Sequence, residues 1–347
     1  MKLSTRSAFA RNVALEELLG ELNGLLAGAE MQVLQRYREP RYPLVLVVGC
    51  PRSGTTLLMQ WLAATGVFAY PTNLMARFYQ APYIGARIQQ LLADPRYAFR
   101  DELTGLERQT LDFHSELGKT QGLMSPNEFW YFWRRFFPYG DIQRLGKRAL
   151  QGIDTATLKA ELAALTEAFR KPFAAKAMMF NWNLPYLAEV LDRAVFIYLR
   201  RDPFFNAQSL LKARMKYYRD RNEWYSFKPP EYKQLQFGDP YYQVAGQVHY
   251  TNAAVMKGLS DIHPDRWIGI DYETFCRYPY GLWEDLKRAL ARMDYNLDRD
   301  YMGPEAFPIH NFVELPRDEA RQLVAAYHTQ FGIDIAPSEE QRHTENV

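Results

Sequence analysis

Fifteen residues, Leu44 to Leu58 (LVLVVGCPRSGTTLL), constrain this chain more than any others. Leu44 to Val48 are five consecutive branched apolar residues, the pattern of a parallel strand buried on both faces. The run stops at Gly49, crosses a short loop and restarts at Thr55 as an apolar helical pattern. A strand, a glycine-bounded loop and a helix form the layout in which loop amides and a helix N-terminus face an anion. The spacing Gly49-x4-Gly54 also matches the ATP/GTP P-loop, but that motif continues with Lys and then Ser or Thr. Here Thr55 and Thr56 follow, and the cation lies inside the loop as Arg52. The loop reads as a phosphate site that is not built for the β/γ pair of a nucleoside triphosphate.

A second anion site is legible further on. Ala194 to Leu199 (AVFIYL) is an apolar strand, followed by Arg200, Arg201, Asp202 and Pro203 and then by the helical stretch FFNAQSLLKARMKYY. Asp202 suits an N-cap and Pro203 a first helical turn. Ser209 lies eight residues after Arg201. PRSGTT resembles the 5′-phosphosulfate loop of the sulfotransferases that use 3′-phosphoadenosine 5′-phosphosulfate (PAPS). That family holds the donor's 3′-phosphate with an Arg at a strand end and a Ser eight residues on, and this chain repeats that combination about 150 residues after the loop.

The resemblance implies an α/β, P-loop-containing nucleotide-binding fold: a central parallel sheet flanked by helices, with a helical insertion. It implies a bacterial-type member related to the tyrosylprotein and carbohydrate branch. The implied activity is in-line transfer of a sulfuryl group from PAPS to a hydroxyl of a small molecule, lipid or carbohydrate, leaving 3′-phosphoadenosine 5′-phosphate (PAP), with no metal. Pro51, Arg52, Ser53, Gly54, Thr55 and Thr56 would then hold the 5′ end, and Arg201 and Ser209 the 3′-phosphate. Arg214 would assist or belong to a solvated helix face. Tyr272 resembles a Tyr that lies near the nucleotide in relatives. The pattern by which cytosolic members close the adenine pocket is missing from MGPEAFPIHNF (302 to 312), which leaves His310 and Asn311 without a role. A P-loop kinase with a displaced cation and a non-catalytic nucleotide-binding protein are the alternatives.

The catalytic expectations are Arg52, Lys176, Glu128 and His114. Sulfuryl transfer requires positioning of two substrates and cations or amides at the leaving oxygen. Arg52 is the loop cation. Lys176, about 25 residues before Arg201, matches a Lys that reaches the sulfate in relatives; otherwise it is an edge-strand Lys facing solvent. For the general base, the Glu that tyrosylprotein sulfotransferases carry after the loop helix is absent from YPTNLMARF, so protein tyrosine is disfavoured as acceptor. Glu128 stands among Trp130, Tyr131 and Trp133, where desolvation would raise its pKa toward a working base. Its structural alternative is a capping box with Ser125 as N-cap and Pro126 at N1. His114 ranks second and His249 third. Cys50 lacks a visible activator and reads as small-residue filling.

Composition bounds the rest. In 347 residues the apolar fraction of 48% supports a sizeable core, and a net charge of +2 gives no reason to expect nucleic acid. Two cysteines, Cys50 and Cys276, make no disulfide framework and fit a reducing compartment. The N-terminus does not read as a signal peptide, and no window reads as a membrane span. The expected location is the cytoplasm, most plausibly of a bacterium; the oligomeric state is unreadable. We expect one domain over 1–347: N-terminal helices in 1–40, core sheet in 41–70 and 171–275, a helical insertion in 74–170 and a frayed tail in 335–347. The expected strands are 44–48, a short one at 67–70, 171–178, 194–199 and 266–273. The aromatic stretch 221–243 reads as a binding loop.

Overall fold

A computed structural model describes residues 12–100, 113 and 115–337. Four parallel strands, β1 (Leu44–Val48), β2 (Phe173–Lys176), β3 (Ala194–Arg200) and β4 (Trp267–Asp271), lie in the order β2-β1-β3-β4. Alternation along the strands splits their side chains between two layers. Leu44, Leu46 and Val48 join Phe173, Phe196 and Tyr198 in one core; Val45, Val47, Val195 and Ile197 join another on the opposite face. That double burial explains the unbroken apolar run of β1.

Helices fill both layers. The first face is covered from α3 (Pro82–Ala93), α4 (Trp130–Phe136), α6 (Thr155–Phe169), α7 (Leu184–Val190) and α10 (Pro240–Ser260). The second is covered by α2 (Thr55–Ala64), α11 (Tyr272–Arg277) and α12 (Pro279–Ala291). A third cluster joins α8 (Pro203–Tyr218) to α10 and α13 (Arg317–Phe331), and Cys50 is part of its packing. The short helix α5 (Lys147–Gln151) packs Ala149 and Leu150 against the first core, and α1 (Val13–Leu34) and α9 (Tyr232–Leu235) complete the chain's α-helices among the described residues.

One expected element is missing. Residues 67–70 form no strand; Ala69 makes a single bridge to Phe173 beside the edge of the sheet. In 74–170, Pro82 opens a helix, because at the first helical position its missing N–H costs nothing. The 221–243 stretch is irregular up to α9 and again over 236–239, where Asp239 caps α10 by accepting from the Tyr241 and Tyr242 amides. Ile335 packs into the third cluster, and residues 338–347 of the expected tail lie outside the described residues.

Candidate functional site

Each strand delivers a residue of interest at its C-terminal end, where open parallel sheets bind ligands. β1 leads into the 49–54 loop, β2 ends on Lys176, β3 hands over to Arg201, and β4 is followed at once by Tyr272. The loop is pinned from behind. Asn181 Nδ2 donates to the Gly49 carbonyl at 2.8 Å, and Asn206 Nδ2 donates to the Pro51 carbonyl at 2.7 Å. Arg52 takes a left-handed φ of 71°, a conformation that costs a non-glycine residue about 1 kcal/mol or more and turns its side chain out of the loop's own path. Gly54 precedes α2 at φ 96°, and a Cβ there would lie 2.5 Å from the Tyr272 ring, so both backbone and space require glycine. The first bond of α2 runs from the Leu58 amide to the Gly54 carbonyl at 3.1 Å. The Thr55, Thr56 and Leu57 amides therefore have no partner along the helix.

A cavity of about 640 Å³ opens against this helix end. Arg52, Gly54, Thr55, Thr56, Arg201, Ser209 and Tyr272 all line it. The two anion motifs of the sequence are joined directly: Arg52 Nε donates to Ser209 Oγ at 3.2 Å, and Arg201 Nη1 donates to the Arg52 carbonyl at 3.2 Å. Arg201 also donates to Asn311 Oδ1 at 3.0 Å and to the His310 carbonyl at 2.5 Å, and it sits over the Tyr272 ring at 5.0 Å. Three of its five N–H donors are used, leaving two. Lys212 and Lys216, on the same cavity wall, are paired with Glu314 and Glu116. Arg52 and Arg201 have no carboxylate within ion-pair distance among the described residues. Burial lowers the pKa of each, the direction expected for a desolvated cation without a counter-ion.

A second cavity of about 750 Å³ shares Arg52, Thr55, Thr56, Leu117 and Gly118 with the first and contains Glu128 and Lys176. Lys176, only 6% exposed, donates to Glu128 Oε1 at 2.9 Å and to Thr56 Oγ1 at 2.8 Å. The solvent-facing alternative for Lys176 is thus excluded, although β2 is an edge strand. Glu128 also accepts from Trp130 Nε1. It lies deep in the fold yet 39% of its side chain opens to the cavity. Burial pushes its pKa up, but Lys176, Trp130 and Arg52 together outweigh burial, and the net shift is downward from 4.5. This reverses the expectation of a raised value: the sequence shows the apolar neighbours but not the ammonium beside them. The capping box is absent too. The helix α4 begins at Trp130 after Phe129 at φ 57°, and Ser125 Oγ donates to the Gln121 carbonyl.

The remaining expected residues separate. Pro51 lines the second cavity, whereas Ser53 lines neither: its amide donates to the Cys50 carbonyl at 3.2 Å and its hydroxyl is buried. His249 stacks on Phe331 at 3.7 Å and lines neither cavity. Arg214 is neither solvated nor at the donor-side cavity. It is fully buried, donating to Gln243 and the Arg221 carbonyl and lying 4.9 Å over Trp224. Burial raises the Cys50 thiol far out of the reactive range. His114 lies outside the described residues.

Two features escaped the sequence reading. Asn311 and His310 grip Arg201, and Asn311 Nδ2 also donates to Glu273 at 2.6 Å. The turn Glu116–Lys119, with Leu117 at φ 46° and Gly118 at φ 86°, forms the partition between the cavities. A Cβ on Gly118 would lie 2.7 Å from Arg52 Nη1. The only available signal was a lone glycine between Leu117 and Lys119.

Residues 43–292, well over half the chain, match the model of the "Sulfotransferase family", and the chain belongs to that family. The chain is similar in structure to sulfotransferase STF9 from Mycobacterium avium: 15% identity, 94% of this chain and 86% of that one covered, TM-score 0.49. Sulfotransferase STF1 from Mycobacterium tuberculosis H37Rv shows 15% identity over 92% and 79%, with a TM-score of 0.45. A sulfotransferase from Alicyclobacillus acidocaldarius shows 15% identity over 85% and 97%, with a TM-score of 0.38. No curated protein sequence matches the chain.

Proposed function

We propose that this sulfotransferase takes its sulfuryl group from PAPS and transfers it in line to a hydroxyl of a small molecule, lipid or carbohydrate. The observation that carries the choice of donor is the pair Arg52 and Arg201: two guanidinium groups without carboxylate partners among the described residues, in one cavity at a helix N-terminus. Such a cavity suits a molecule with an anionic group at each end of a nucleoside.

In this reading Arg201 offers its two remaining donors to the 3′-phosphate, and Ser209 adds its hydroxyl. Arg52 and the first amides of α2 stabilise the charge that develops on the bridging oxygen as the sulfur–oxygen bond breaks. Lys176 neutralises the transferring group. Glu128 accepts the acceptor's proton as its oxygen bonds to sulfur. Lys176 holds Glu128 ionised before the donor arrives; a sulfuryl group beside Lys176 offsets that ammonium and makes Glu128 a stronger base. We further read residues 1–347 as one domain acting in a bacterial cytoplasm, where the two buried free thiols fit a reducing environment.

Calorimetry with PAP tests the donor. The expected result is micromolar binding and a melting temperature raised further by PAP than by ATP with Mg²⁺, which also separates this reading from a kinase. No heat at millimolar PAP refutes it. Labelled donor with an acceptor screen then separates an enzyme from a binding protein.

A further inference from the structure

We propose that the cavity holding Glu128 is the inner half of a longer trough, and that its outer half takes an aliphatic chain carried by the acceptor; this rests on the sulfotransferase reading above. A third cavity, of about 960 Å³, shares Asn73, Thr120, Asn127, Trp130 and Tyr131 with the Glu128 cavity. The trough therefore continues from the reacting groups toward the N-terminal helix.

Four leucines give its outer half an apolar strip, with Asn12, Glu16, Arg77 and Gln121 also on its lining. Leu15 and Leu19, one turn apart on α1, line one side, and Leu74 and Leu123 line it as well. The Leu74 amide donates to the Leu123 carbonyl at 3.0 Å, so these two stand side by side on one wall. All four are half-buried and belong to none of the packed cores. Leu15 and Leu19 are not what docks α1; Leu34 at its far end packs against Ala160 and Ala164, and polar groups hold the rest. Asn23 donates to the Arg77 carbonyl at 2.8 Å and accepts from the Gln80 amide at 2.7 Å. Glu30 accepts from the Tyr83 and Ile84 amides at 2.7 and 3.0 Å. The helix is latched by buried polar groups while Leu15 and Leu19 face the trough.

The polar residues at the junction favour a chain over a sugar. Asn127 Nδ2 donates to Asn73 Oδ1 at 2.8 Å, Asn73 Nδ2 to the Gly122 carbonyl at 2.8 Å, and Thr120 Oγ1 to the Pro126 carbonyl at 2.8 Å. Asn127 Oδ1 is taken by the Phe129 amide at 2.8 Å. These groups are spent within the protein, so the passage presents the rings of Trp130 and Tyr131 and few free donors. An oligosaccharide needs many hydrogen bonds there; an alkyl chain needs none. The acceptor we infer is an amphiphile with its hydroxyl at Glu128 and its tail against Leu15, Leu19, Leu74 and Leu123.

Binding of 1-alkanols from hexanol to dodecanol to the PAP-saturated protein, followed by calorimetry, tests this. Affinity should rise about 2- to 4-fold per methylene. In Leu15→Asp/Leu19→Asp the slope should flatten, and dodecanol should bind at least roughly 10-fold more weakly, with hexanol affected least. Leu123→Asn, on the other wall, should act in the same direction and serves if the double variant misfolds. Absence of a length dependence, a slope that survives both variants, or binding of maltotriose but of no alkanol overturns the inference. PAP binding and sulfate turnover are read separately. If they succeed and the slope is flat, only the trough assignment falls; if PAP does not bind, the donor assignment falls and the slope still reports on the trough.

Discussion

Replacing Lys176 by Met removes the charge while keeping most of the volume, and it tests the Lys176–Glu128 couple directly. In the wild type the two heads are 2.9 Å apart. At that separation a unit pair is worth about 1.4 kcal/mol in water and about 6 kcal/mol at an effective dielectric of about 20. Because 39% of the Glu128 side chain meets the open cavity, the lower part of that range applies, and we take about 2 kcal/mol. Glu128 is held below 4.5 in the folded protein, so its contribution to stability exists above that pH and fades as pH falls through the folded value. Without the ammonium, burial dominates and the carboxyl titrates higher. The acid limb of kcat/KM, which reports free enzyme, should move to higher pH. Turnover should fall by about 10²- to 10³-fold, the usual loss for one group stabilising a transferring anion. The assay is initial rate with labelled donor from about pH 4 to 9. A variant that is slow but keeps the wild-type acid limb refutes the coupling, and one with unchanged turnover refutes the role of Lys176.

Glu128→Gln should abolish the acid limb and cost about 10²- to 10⁴-fold in turnover while leaving PAP affinity within about twofold; an unaltered rate removes Glu128 as the base. Arg201→Met should weaken PAP by about 10²- to 10⁴-fold in calorimetry, from two charge-assisted bonds of about 1.5 to 3 kcal/mol each, and an unchanged affinity sinks the 3′-phosphate assignment. Gly118→Ala puts a methyl 2.7 Å from Arg52 Nη1 at a positive φ, so turnover should drop at least tenfold with a loss of stability near 1 kcal/mol, read by denaturant melts. Iodoacetamide should leave Cys50 and Cys276 unmodified in the folded protein by mass spectrometry, since both are buried and their thiols are raised; rapid labelling would contradict the packing.

The sheet was legible because its signals are local. An apolar run buried on both faces marks β1, and Asp202-Pro203 marks the start of α8 with the expected cap, Asp202 accepting from the Phe204 amide at 2.9 Å. Arg52, Arg201 and Ser209 were found by spacing, because their backbone settings are strand ends and a helix turn. Signals set by tertiary neighbours were harder to read. The direction of the Glu128 shift depends on Lys176, 48 residues away, and Arg214 belongs to a buried contact with Gln243 and Trp224 that its helix alone does not reveal. The grip of Asn311 on Arg201 joins residues 110 apart. The Gly118 partition and the trough beneath α1 are assembled from segments with no shared motif.

The groups of the first cavity that carry the proposed donor contacts are mounted on strand ends and on the helices directly after them, while the outer trough walls come from α1, the 73–77 segment and the 120–131 segment. In the proposed reading, nucleotide grip and acceptor choice therefore rest on largely different stretches of chain, which meet at Arg52, Thr55, Thr56 and the Leu117–Gly118 turn. Exchanging side chains at positions such as 15, 19, 74 and 123 offers a route to new acceptors that leaves the energy source of the reaction in place.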